Sequence, residues 1–153
     1  MRIRSAAFGL CLVAVAAGAL AVANTDADAA SARLTLDGTS FRPELALTPA
    51  ARSKGLMNRI PAPKDGMLFV FPRPTSGGFW MKNTHVPLTI IFFDAAGKHP
   101  LRMSMKPCRV DPCEIYDPGR PYRFALEMRA SDRRPAKRLG PVSELRRLIQ
   151  LAA

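Results

Sequence analysis

Three segments constrain what this chain can fold into. They are "GMLFVF" (66–71), "PLTIIFF" (87–93) and "YRFALEMR" (122–129). The first two are continuous apolar runs, and "GMLFVF" lies between Pro63 and Pro72. Their short length and their content of Phe, Val and Ile favour buried strands over helices. The third alternates, with Tyr122, Phe124, Leu126 and Met128 facing one way. "LRMSMK" (101–106) also alternates, setting Leu101, Met103 and Met105 against Arg102, Ser104 and Lys106. It follows 87–93 through the short loop "DAAGK", so the two runs are expected to form a hairpin.

Weaker signals complete the pattern. Leu34 and Leu36 alternate with polar residues up to Asp37-Gly38, a turn signal. "FRPELAL" (41–47) reads as a strand that Pro43 confines to a sheet edge. In "TPAARSKGLMNR", Thr48 can cap a helix, Pro49 suits its first position and Gly55 can end it after two turns. Leu145, Leu148 and Ile149 follow Ser143 at helical spacing and predict a short terminal helix. About six strands with turns every eight to twelve residues predict a mainly β fold: an antiparallel β-sandwich or barrel with one or two short helices.

The first residues follow a different logic. Arg2 and Arg4 precede an apolar run from Ala6 to Leu20, too short to span a bilayer as a helix. Small residues follow, and Ala21-Val22-Ala23 fits a signal-peptidase site. We expect a cleaved signal peptide over 1–23, with cleavage after Ala29 as the alternative, a disordered lead-in over 24–32 and one domain over 33–153. The expected location is therefore periplasmic or secreted. Removing 1–23 leaves Cys108 and Cys113 as an even pair. In an exported chain such a pair reads first as a disulfide. It would close a six-residue loop, for which chain entropy gives about 2 kcal/mol.

The whole chain carries 23 Lys and Arg against 12 Asp and Glu, a net charge of +11. Loss of Arg2 and Arg4 with the signal lowers that to +9. Much of the excess lies near the end, in Arg129, Arg133, Arg134, Lys137, Arg138, Arg146 and Arg147 against Asp132 and Glu144. For an exported monomer this basic segment points to envelope polyanions or anionic lipid headgroups, and nucleic acid is not expected. A solvated basic face that aids solubility is the plainer alternative.

Few residues announce chemistry. No nucleophile elbow, phosphate loop, dinucleotide fingerprint or zinc-protease motif occurs. The reading therefore leans away from an enzyme and requires no cofactor. His99, Met103 and Met105 are an alternative soft-metal set for a copper-handling protein, although Met at those strand positions also fits core filling.

"FWMKNT" (79–84) is the more pointed signal. In a strand, Phe79 and Met81 share one face, and Trp80 and Lys82 share the other. An exposed Trp beside a Lys and an Asn can stack a ring and hydrogen-bond a polar ligand. The candidate set is Trp80, Lys82, Asn83 and Thr84, joined by Arg59, Asp94 and Glu127. A hydrolase or lyase using Asp94 or Glu127 with Lys82 is the enzymatic alternative. The structural alternative is a corner in which Trp80 caps the barrel end and Asn83 bonds backbone.

The order "ARSKGLMNR", "DGMLFVFP", "FWMKNTHVPLTIIFFDAAGK", the Cys pair followed by Tyr116, and "YRFALEM" resembles the DUF192 family of small bacterial and archaeal proteins, many of them exported. The resemblance runs from Phe41 to Glu127. It implies a β-sandwich or barrel and carries no established activity. Gly55, Gly66, Trp80, Asn83, Asp94 and Glu127 are among the positions that match the family pattern. The terminal "MRASDRRPAKRLGPVSELRRL" departs from it: the family's Gly-containing turn and its Gly-Asp step are missing.

Overall fold

The computed structural model describes residues 32–153. The expected signal peptide, and all but the last residue of the expected lead-in, lie outside the described residues. That last residue, Ala32, is buried in the core.

The alternating segment 122–129 occupies the middle of the molecule. It forms β9 (Tyr122–Arg129), the central strand of a five-stranded sheet. The other strands are β3 (Glu44–Ala46), β4 (Met67–Thr75), β6 (Leu88–Phe93) and β7 (Leu101–Met105), in the order β3-β4-β9-β6-β7. The expected hairpin is β6 with β7, antiparallel, with Ile90 opposite Met103. A smaller sheet holds β1 (Leu34–Leu36) between β2 (Thr39–Phe41) and β10 (Leu139–Gly140). A two-stranded ribbon pairs β5 (Phe79–Trp80) with β8 (Ile115–Tyr116). Two short helices, α1 (Pro49–Lys54) and α2 (Val142–Leu151), complete the fold.

This is the expected mainly β, sandwich-like architecture. It differs from the simplest form of that expectation in two ways. The large sheet does not close into a barrel, because β3 and β7 remain edges. In addition, β3 runs parallel to β4, with Leu45 opposite Leu68. The reason is the connection: α1 carries the chain across the sheet face, and such a crossover returns the next strand in the same direction. Pro43 lies just before β3, at the sheet edge where the sequence placed it.

Both faces of the large sheet are covered. One face, with Leu68, Val70, Ile91, Phe93, Phe124, Leu126 and Met128, packs on the small sheet and on Leu145 and Leu148 of α2. The other face carries Met67, Phe69, Leu88, Ile90, Phe92, Met105 and Ala125, beneath Leu56, Met81 and Tyr116. Burying each such side chain contributes about 1.5–3 kcal/mol. Glu127 belongs to this second face and is 4% exposed.

Pairing between β4 and β9 slips between Val70 and Thr75. Pro72 and Pro74 donate no ladder hydrogen bonds there. Arg123 fills the gap, donating to the carbonyls of Phe71 (2.8 Å) and Pro72 (2.7 Å).

A cleft over a buried carboxyl: the candidate functional site

α1 forms the roof of the site. The Thr48 side chain accepts from the Ala51 amide at 3.1 Å, and Pro49 opens the helix. Gly55 ends it with φ +46. Arg52 then ties the helix to β4. Its guanidinium donates to the carbonyls of Leu47 and Val70, the latter at 2.9 Å, and lies 5.2 Å from the Phe71 ring centroid.

Between this roof and β5 lies a cleft of about 380 Å³. That is the scale of a small-molecule site. Its walls are aromatic. Phe69 meets Phe79 edge-on at 4.9 Å, and Phe71 meets Tyr122 at 5.4 Å. Such pairs contribute about 0.5–1.5 kcal/mol beyond area burial and hold the walls in place. Ser53, Lys54 and Trp80 are exposed lining residues, whereas Thr84 and Glu127 are buried lining residues.

Glu127 sits where the sheet register puts it. Glu44, Met67, Glu127, Ile90 and Met103 lie opposite one another in a single row across all five strands. Residues directly opposite share a face, so Glu127 points into the apolar layer beneath the cleft. Burial raises its pKa from 4.5 to about 8, and no hydrogen bond or neighbouring charge offsets that rise. At neutral pH the group is chiefly a carboxylic acid, and since no described side-chain oxygen is both buried and unpartnered, its polar end opens onto the cleft. Tyr122 is also pushed up, to about 12, chiefly by burial and then by the charge of Asp117.

The structure divides the sequence-derived candidates. Trp80, Thr84 and Glu127 line the cleft together. Lys82, Asn83, Arg59 and Asp94 do not. Lys82 reaches Asp111 at 3.0 Å and lies 5.6 Å from the Trp80 ring, so it braces that ring from the side. Asn83 adopts φ +54 at a turn, and its carbonyl accepts from the Asn58 amide at 2.7 Å. The corner is made by the Asn83 backbone, and Trp80 caps no barrel end. Arg59 forms a two-bond pair with Glu44, at 3.0 and 2.8 Å. Asp94 accepts from the amides of Ala96 and Lys98 and pairs with the His99 ring at 2.7 Å. Its pKa is lowered by these hydrogen bonds, which outweigh an opposing burial effect.

For the alternative metal set, Met105 is buried in the core and Met103 packs against it, while His99 is exposed beside Asp94. Lys82 and Asp94, proposed as members of an acid–base pair, each hold a different partner. Cys108 and Cys113 form a disulfide that closes the loop before β8.

Sequence reasoning missed Arg52, Ser53, Phe69, Phe71 and Tyr122 as cleft residues. The signal lay in "ARSKG": an Arg one turn into a helix too short to stand alone needs something to grip. Much of the basic terminal segment is also committed internally. Arg129 donates to the Ala62 carbonyl, Arg134 pairs with Asp132 and Asp65, and Arg147 pairs with Glu144.

Fold and site together define a small, mainly β domain with an aromatic-walled cleft over a buried carboxyl. The chain belongs to the DUF192 family, described as an uncharacterized ACR, whose profile matches residues 32–135. The match reaches the loop after β9, so β10 and α2 lie beyond it. Two crystal structures are similar to this chain. One, of a protein from Sinorhizobium meliloti 1021 described as a candidate transcription regulator, is 31% identical with a TM-score of 0.60, over 72% of this chain and 93% of that one. The other, of a protein of unknown function from Novosphingobium aromaticivorans DSM 12444, is 28% identical with a TM-score of 0.60, over 72% of this chain and 85% of that one. No curated protein matches the chain.

Proposed function

We propose that this protein is an exported binding domain whose cleft between α1 and β5 holds a small, envelope-derived organic ligand. The single observation that carries the reading is Glu127: a residue only 4% exposed whose carboxyl opens onto an aromatic-walled cleft. No described side-chain oxygen is both buried and unpartnered, so the Glu127 carboxyl opens onto the cleft, and a ligand that hydrogen-bonds it replaces solvent there. Trp80 and the Phe79 ring offer apolar surface to the same ligand, and Thr84 and Ser53 offer hydroxyls. Export is supported by the charged, apolar and small-residue pattern of 1–23 and by the Cys108–Cys113 bridge. Among the described residues no helix is long and apolar enough to cross a membrane.

The basic surface is a secondary attraction for envelope polyanions or anionic headgroups, through exposed cations that form no ion pair among the described residues, such as Arg133, Lys137, Arg138 and Arg146. A role in transcription, the description given to the Sinorhizobium protein, would place the chain with nucleic acid. Our reading predicts no specific DNA shift.

The test is a thermal-shift panel of cell-wall sugars, peptidoglycan fragments and anionic lipids against the oxidised mature protein, Trp80→Ala and Glu127→Gln. A ligand that stabilises the parent protein and loses its effect in both variants supports the cleft. A ligand whose effect survives both variants places binding elsewhere and contradicts the reading.

A further inference from the structure

We infer that the ligand of this cleft carries a protonated amine on an apolar or aromatic stem, and that the amine seats against the Glu127 carboxylate. This rests on the binding reading above and specifies its chemistry.

Among the described residues that line the cleft, Glu127 is the sole acid. It lies on the central strand, while the roof and rim are built around it. The lining near it includes Leu56, Phe69, Phe79, Thr84 and Tyr122, and its aromatic rings can attract a cation. A neutral hydroxyl would gain one ordinary hydrogen bond from the carboxylic acid. An ammonium gains a charge-assisted bond, about twice as strong, and the attraction of the rings besides.

The charged and titratable groups around Glu127 are few. Arg52 and Lys54 come from α1, and β9 itself contributes Tyr122 and, two residues beyond Glu127 on the same face, Arg129, whose guanidinium donates to the Ala62 carbonyl. The Glu44–Arg59 pair lies along the same row, beyond Met67. The parts of β4, β5 and β6 packed nearby contribute Met67, Phe69, Phe79, Trp80 and Ile90, none of which ionises. Arg52 is held by the Leu47 and Val70 carbonyls, and Lys54 is exposed. These two cations favour a ligand whose far end is neutral or anionic.

Seating the amine has a proton balance. The Glu127 O–H bond breaks, its proton leaves to solvent, and the ammonium N–H groups donate to the carboxylate. Binding therefore releases about one proton at neutral pH. Affinity rises toward tenfold per pH unit below about 8, where the free carboxyl titrates.

The probes are benzylamine, which stays protonated between pH 6 and 8, and benzyl alcohol, its neutral counterpart. We expect benzylamine to raise the Tm of the parent protein and to bind about tenfold tighter at pH 7 than at pH 6. Calorimetry in two buffers of different ionisation heat should show about one proton released. Glu127→Gln should lose benzylamine binding and keep that of benzyl alcohol. Equal, pH-independent binding of both probes overturns the amine and leaves the cleft reading intact. Binding of neither probe counts against the cleft itself. Should Glu127→Gln fail to fold, proton release in the parent protein decides alone: none released overturns the inference.

Discussion

A methyl group on Gly66 would stand 2.0 Å from the backbone carbonyl oxygen of Glu127. Gly66 also has φ +77, a conformation that L side chains rarely adopt. Its carbonyl accepts from the Glu44 amide at 3.0 Å, so the same residue joins the start of β3, the start of β4 and the strand that carries the buried acid. Gly66→Ala is therefore expected to cost at least about 2 kcal/mol, from backbone strain together with the clash. Urea unfolding would measure it. A loss under about 0.5 kcal/mol would show that β4 and β9 tolerate separation here.

Glu127 makes stability depend on pH. Below its ordinary value of 4.5, folded and unfolded chains both hold the proton, and the contribution of the group is fully present. As pH rises, the unfolded carboxyl ionises first. Stability then falls by roughly 1.4 kcal/mol per unit until the folded group ionises near pH 8. Glu127→Gln, which keeps the shape and cannot ionise, is expected to flatten this decline. Denaturation midpoints measured at pH 5, 6, 7 and 8 would show it. A decline of equal slope in the variant would assign it to other groups.

The roof of the cleft depends on a helix only six residues long, and one that short does not persist on its own propensity. Removing its cap with Thr48→Ala is expected to cost about 1 kcal/mol. The same change should weaken any cleft ligand identified by the thermal-shift panel, because Arg52 and Lys54 ride on this helix. Unchanged ligand affinity in a destabilised Thr48→Ala protein would mean that α1 does not shape the site.

Lys82 and Trp80 should separate. The Lys82–Asp111 pair is largely exposed, with side chains 41% and 60% accessible, so Lys82→Ala is expected to shift stability by less than about 1 kcal/mol. Trp80 lines the cleft and is the chain's single Trp. A cleft ligand should therefore change intrinsic Trp fluorescence in the Lys82→Ala protein as in the parent. A ligand whose stabilising effect vanishes in Lys82→Ala and persists in Trp80→Ala would reverse these roles.

The four long strands of the large sheet and both helices were legible because their signals are local, whereas the two-residue β8 and β10 carry no such signal, and 41–47, expected as one strand, is divided between β2 and β3. Alternation, apolar run length, Thr48-Pro49 and Gly55 act over a few residues. The parallel pairing of β3 with β4 was not legible, because it follows from where α1 crosses the sheet. Glu127 was legible as a candidate, but its burial was not, because a polar residue in an alternating strand ordinarily marks a solvated face. Its burial depends on β9 being central and covered on both sides, which strand order decides. Arg59 and Asp94 looked available because their partners are distant in sequence or hidden in turn geometry: Glu44 for the first, and the amides of Ala96 and Lys98 for the second. Asn83 shows the same limit, since its left-handed backbone, not its side chain, makes the corner.

The most direct test of the central claim follows the Glu127 carboxyl itself. Carbon-13 NMR of the side-chain carboxyl in uniformly labelled protein, assigned with Glu127→Gln, would give its titration curve. A midpoint near 8 in the free protein is predicted, moving down when an amine occupies the cleft. A midpoint close to 4.5 would show a solvated or partnered carboxylate, and would contradict the account of Glu127 as an acid that its ligand completes.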